Sequence, residues 1–151
     1  MRFHAYLNFN GDCAQAFRHY QDVLGGELEI MTHAESPVAD QVPQDWGDRV
    51  MHAALRVGDE LLMASDAPPE HYHAPAGMYV SIWVDTVDEG RRVFDALAEG
   101  GQIHTPYRPT FWSRGFGMLA DRWGTRWMVN CAAQPEPAEG QGQDEAGSAA
   151  S

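Results

Sequence analysis

The chain has 151 residues, 44% of them hydrophobic and 21% charged, a composition that excludes wholesale disorder and allows one core, or two small halves built around one. Its formal net charge is −12, and still about −8 once Glu136, Glu139, Asp144 and Glu145 of the polar C-terminal stretch are set aside. A surface of that sign repels phosphate, which argues against nucleic acid and anionic membrane as partners.

In chain order, residues 3–9 alternate as a strand, with Phe3, Ala5, Leu7 and Phe9 on one side and His4, Tyr6 and Asn8 on the other. Gly11-Asp12 breaks the strand, and Asp12 is the expected N-cap of a helix. Cys13, Ala16, Phe17, Tyr20, Val23 and Leu24 then recur at three-to-four spacing as one apolar stripe, closed by Gly25-Gly26. Residues 27–32 read as a strand. The stretch 34–48, with Pro37, Pro43 and Gly47, reads as a loop. Residues 49–57 and 60–65 are two strands joined by the tight turn Gly58-Asp59. Residues 67–77, carrying Pro68-Pro69 and Pro75, form a linker.

The plan then restarts. Residues 78–84 are a strand with Val80, Ile82 and Val84 opposite Tyr79, Ser81 and Trp83. Asp85-Thr86 opens a helix whose expected buried stripe is Val87, Val93, Phe94, Leu97 and Ala98, and Gly100-Gly101 closes it. Residues 102–107, 115–120 and 125–131 supply three more strands. From residue 132 the chain is too poor in apolar residues to fold and is expected to be a disordered acidic tail. Cys13 and Cys131 fit no CxxC or zinc pattern and read as buried free thiols. The N-terminus shows no apolar leader run and no segment is long enough to span a bilayer, so a soluble cytoplasmic protein is expected.

Leu24-Gly25-Gly26 and Glu99-Gly100-Gly101 lie 75 positions apart, and the same offset lays Leu7 on Ile82 and Phe9 on Val84. The expected fold class is therefore α+β, with two tandem βαβββ modules, 1–66 and 78–131, in one structural domain over 1–131. Each helix covers one face of its own strands, and the opposite faces curl into a cupped mixed sheet able to hold a ligand.

Several segments carry a resemblance: Tyr6-Leu7-Asn8-Phe9-Asn10-Gly11-Asp12, Leu24-Gly25-Gly26, Val50-Met51-His52-Ala53, Leu62-Met63-Ala64-Ser65-Asp66, Phe111-Trp112 and Asp121-Arg122-Trp123-Gly124-Thr125-Arg126-Trp127. In this order and spacing they resemble the vicinal-oxygen-chelate superfamily of glyoxalases, bleomycin-resistance proteins and dioxygenases, and within it the PhnB-like branch. The resemblance implies paired βαβββ modules and usually a homodimer, but no single reaction.

It also implies where a metal would sit, on His or Glu residues of the first and last strands of each module. Those positions here are His4 (or Ala5, by end-to-end counting), Tyr79, Met63 and Met128. Thioethers and a neutral phenol hold hard divalent ions poorly, so no metal is expected, with His4 the one credible ligand. His52 and Asp66 are the weak candidates for general base. His71 and His73 form a lone His-x-His, two ligands without a third. No cofactor is expected, because no glycine-rich nucleotide loop follows a strand and Gly11 stands alone.

The ligand pocket expected in place of a metal centre comprises Tyr6, Asn8, His52, Met63, Ser65, Tyr79, Ser81, Trp83, Met128 and Asn130 on the cup face, with Phe111 and Trp112, beside Phe116, at its rim or in a dimer contact. Any one of these is also an ordinary core residue. Together their polar ends would be costly to bury dry, which points to a small molecule of neutral or cationic character. The functional expectation is a small-molecule-binding protein without the usual metal ligands, leaning away from catalysis. The alternatives are a metal-dependent enzyme with rebuilt ligands and a metal-free acid/base enzyme.

Overall fold

The computed structural model describes residues 1–132, so all of the expected tail beyond Ala132 lies outside the described residues. The elements run β1 (Ala5–Phe9), α1 (Cys13–Leu24), β2 (Glu27–Thr32), β3 (Val50–Val57), β4 (Glu60–Asp66), β5 (Val80–Val84), α2 (Val87–Ala98), β6 (Gln102–Arg108), β7 (Ser113–Ala120) and β8 (Arg126–Ala132), with short 3-10 turns inside the 34–48 loop and after β4. They form two four-stranded sheets, ordered β1-β4-β3-β2 and β5-β8-β7-β6. In each, the first strand pairs parallel to the last and the rest are antiparallel. The tandem βαβββ plan is thus present, as two mixed sheets rather than one continuous ladder. The 75-residue offset holds between the first strands, where Tyr6 corresponds to Ser81; their parallel partners Met63 and Met128 correspond too, though they are 65 positions apart.

Each helix stripe faces its own sheet. On α1, Cys13, Ala16, Phe17, Tyr20 and Val23 are buried, and Phe17 meets Phe9 edge-on at 6.0 Å. On α2 the buried set is Gly90, Val93, Phe94 and Leu97, whereas Val87, expected in that stripe, stays exposed in the first turn. Gly90 takes its place for a steric reason. A Cβ there would sit 2.1 Å from the Tyr107 hydroxyl, which donates to the Val87 carbonyl at 3.1 Å. Strands begin later than alternation suggested at Ala5 and Val80, because Phe3 and Met78 are exposed and gain nothing from pairing. β7 begins earlier, at Ser113, whose buried hydroxyl donates to the Cys131 carbonyl across an irregular Ser113/Gly115 register.

Helix N-termini are satisfied differently in the two modules. Thr86 accepts from the Glu89 amide at 3.2 Å, as an N-cap should. Asp12 occupies the corresponding place before α1 but makes no side-chain cap bond. The Cys13 amide goes instead to Asp66, at the end of β4. The modules are joined by their helices: Arg92 Nη1 donates to the Val23 carbonyl at 2.9 Å, and His19 Nε2 lies 3.1 Å from the Ala96 carbonyl. No described helix is long and apolar enough to cross a membrane.

Both cysteines are free and fully buried, and burial, then the charges of Asp66 and Asp12, push the Cys13 thiol well above its ordinary range. Thiolate formation therefore requires opening of the core. Ellman's reagent at pH 8 is expected to find no rapidly reacting thiol in the native chain and both thiols in denaturant, with native reaction at least ~100-fold slower.

Candidate ligand site on the helix-free sheet faces

Strand alternation sorts the sheet residues into two sets. Phe9, Ala53, Leu55, Ala64, Trp127, Val129 and Cys131 belong to the core. Their alternates share the opposite face: Tyr6 beside Met63 and Asn8 beside Ser65 in the first sheet, Ser81 beside Met128 and Trp83 beside Asn130 in the second. Trp83 is 70% exposed and Tyr6 47%, so large aromatic surface on this side lacks a cover. Across β8, Asn130 stands opposite Phe116 of β7, and Trp112 packs against Phe116 with centroids 5.5 Å apart. Phe111 stacks edge-on against Trp112 at 4.7 Å and is itself 96% exposed, which places the pair at the rim. Asn130 is only 7% exposed, and its Oδ1 has no partner among the described residues, a state that costs roughly 1–3 kcal/mol.

Two phenol–imidazole pairs flank this face, one in each module. The Tyr6 hydroxyl lies 3.3 Å from His52 Nδ1, with the rings stacked at 5.9 Å. The Tyr79 hydroxyl lies 2.9 Å from His104 Nδ1, and the Arg126 guanidinium sits 5.8 Å from the Tyr79 ring centre. His104 is absent from the sequence-derived site. Its strand register shifts between Ile103 and Thr105 and again before Arg108, where Pro106 offers no amide, so simple alternation misplaces it. A phenol and an imidazole sharing one hydrogen bond are able to pass a proton between them.

Asp66 is the other candidate for general base. Expected as an acid at the pocket mouth, it is 5% exposed and accepts from the amides of Gly11 (2.9 Å), Cys13 (3.1 Å) and Val50 (2.8 Å). Its oxygens are engaged by these backbone donors, and the residue also lines a second cavity with Met51 and Ser65. His4 lies ahead of β1, where it lines a cavity of about 570 Å³ between the edges of the two sheets, together with Phe3, Leu61, Ser81 and Trp83. This cavity brings residues of both modules together. Within β1, Ala5 falls in the set of Leu7 and Phe9 rather than on the Tyr6 side, and both His4 and Ala5 line the cavity.

The donor set does not fit the divalent ion that the fold's catalytic members hold. Of the positions named for it, Met63 and Met128 are thioethers standing opposite the neutral hydroxyls of Tyr6 and Ser81, and the Tyr79 phenol is hydrogen-bonded to His104. His52 is engaged with Tyr6, and His4 lines the seam cavity, whose other side chains with ligand chemistry are Glu60 and Glu89. Among the described residues no group of three or more His, Cys, Asp or Glu side chains is close enough to hold a metal.

Comparison with known proteins agrees with this architecture. The model of the Glyoxalase/Bleomycin resistance protein/Dioxygenase superfamily matches residues 2–129. The chain is 33% identical over 138 residues to Protein YjdN of Escherichia coli strain K12, covering 85% of this chain and 94% of that one. Among solved structures, protein PA1353 from Pseudomonas aeruginosa is 47% identical with a TM-score of 0.80, covering 87% of this chain and 98% of its own. The PhnB protein from Bacillus cereus, described as a putative 3-demethylubiquinone-9 3-methyltransferase, is 25% identical with a TM-score of 0.71, covering 87% and 100%. The chain belongs to the Glyoxalase/Bleomycin resistance protein/Dioxygenase superfamily, with PhnB-like structural neighbours.

Proposed function

We propose that this protein binds a small, flat organic molecule on the helix-free sheet faces, without a divalent metal, as a cytoplasmic homodimer. The observation that carries the reading is the uncovered aromatic surface of Trp83 and Tyr6, set among polar ends that a dry core would not tolerate. The mismatch between the donor set and a divalent ion supports binding over metal-assisted catalysis. Exposed Phe3, Met78, Phe111 and Trp112 suit a contact between two copies, and the two buried thiols suit a reducing compartment.

A thermal-shift screen with planar aromatic compounds and polyamines tests the reading. A ligand at 100 times its Kd should add about 2.7 kcal/mol of stability. Trp83→Ala should abolish the shift while moving the unliganded Tm by no more than about 2 °C, because an exposed side chain contributes little to stability. Hits that survive this substitution, or no hit in a broad library, would sink the proposal. A second reading, a metal-free acid/base enzyme, draws on the Tyr6–His52 pair. It requires turnover that His52→Gln abolishes with ligand affinity retained.

A further inference from the structure

Asn130 sits in the middle of the face just described. It lies on β8, with Trp83 opposite on β5 and Phe116 opposite on β7. The side chain is 7% exposed, and its Oδ1 is unbonded among the described residues. Its immediate neighbours are rings and a thioether: Trp83, Phe116 and, two residues inward, Met128. The one donor among them, the Trp83 indole N–H, makes no bond to that oxygen. A buried amide oxygen without a partner, beside an indole left 70% exposed, is a polar mark inside an aromatic niche.

We propose that this niche takes the edge of a flat heteroaromatic lactam, a ring N–H beside a ring C=O, and so defines the class of molecule bound on the face read above as the ligand site. A primary amide presents an acceptor and a donor in one plane, and a lactam edge presents the reciprocal pair. The match holds whichever way the Asn130 amide is turned. The ring faces of such a ligand stack against Trp83 and meet Phe116 at its edge. Both indoles beside the niche have room to turn, Trp83 being 70% and Trp112 50% exposed.

Local charge selects an uncharged ligand. The chain's net charge of −12 is not expressed at this niche. Arg108 pairs with Phe116 from β6, and the Arg114 guanidinium is held by the carbonyls of Ala132 (2.8 Å) and Asp85 (2.7 Å). Two arginines near the niche disfavour a cation. A carboxylate would face the unbonded Oδ1 with like partial charge. A neutral lactam meets both constraints.

The test titrates the full-length protein, followed by tryptophan fluorescence, with isoquinolin-1(2H)-one, its N-methyl derivative and isoquinoline. The lactam should bind, and N-methylation should weaken it about tenfold, the factor for losing one or two neutral hydrogen bonds. Asn130→Leu should weaken the lactam by a similar factor and leave the N-methyl compound unchanged, bringing their ratio to about one. Equal binding of the two compounds to the wild type overturns the proposal, and that comparison needs no variant to fold. If the lactam fails to bind while other aromatics bind in a Trp83-dependent way, the lactam assignment falls and the ligand-site reading stands. If no aromatic binds the wild type, both fall.

Discussion

Replacing Asp66 with alanine is expected to lower the unfolding free energy by about 4 kcal/mol, read as a shift in the urea midpoint at constant m-value. The carboxylate accepts three backbone amides, the buried ones of Cys13 and Val50 and the part-buried one of Gly11, and each loses its partner at once in the variant. Those amides belong to the turn before α1, the first residue of α1 and the first residue of β3, so one side chain pins three chain segments at the end of β4. It also brings a negative charge to the N-terminus of α1, where the helix dipole favours one and Asp12 makes no cap bond. The substitution Asp66→Asn keeps an acceptor for Gly11 and Cys13 but turns an N–H₂ toward the Val50 amide, so about half of the loss should return. Because a domain of this kind is stable by only about 5–15 kcal/mol, the alanine variant should be near the limit of folding at 37 °C. A cost below about 1 kcal/mol would show that these amides find other partners.

Trp127→Ala should be comparably severe, about 4–5 kcal/mol, with loss of cooperativity between the two modules. Trp127 is 1% exposed, and its Nε1 donates to Asp121 Oδ2 at 2.9 Å. The hydroxyl of Tyr20, from the helix of the other module, donates to the same oxygen and packs edge-on against the indole at 5.0 Å. Asp121 Oδ1 collects the amides of Trp123 and Thr125, each at 3.0 Å. The milder Tyr20→Phe removes one of these donors and should cost about 1–2 kcal/mol.

Burial pushes the Asp121 carboxyl above its ordinary 3.8, against the pull of those four donors. A raised carboxyl takes up its proton more readily folded than unfolded. Its contribution is therefore complete below 3.8 and is lost as pH rises through the folded-state value. The slope in that window should vanish in Asp121→Ala, as chemical denaturation at stepped pH would show.

The periodic parts of this architecture were legible in the residues. The α1 stripe of Cys13, Ala16, Phe17, Tyr20 and Val23 is buried as its spacing demands, because a 3.6-residue period leaves one face for the core. That Tyr6, Met63, Trp83 and Asn130 share the face away from the helices follows from two-residue alternation. Where partners are chosen across the chain, periodicity carried no information. Asp12 reads as a cap, yet the cap comes from Asp66, 53 residues beyond Cys13. Val87 reads as core, yet the Tyr107 phenol demands a glycine at position 90 and draws that turn inward.

What the sequence alone determined is the doubled βαβββ plan, the face taken by residues of the regular strands and the chemistry of the residues where a metal would be held, because these depend on local spacing and side-chain type. Tertiary structure decided the rest. It made Asp66 a scaffold anchor, paired Tyr79 with His104, joined the modules through Tyr20 and Asp121, and left the Asn130 amide oxygen buried without a partner among the described residues. Each of these is a matter of which group meets which in three dimensions, and hydrogen bonds between distant segments leave no period in the chain that forms them.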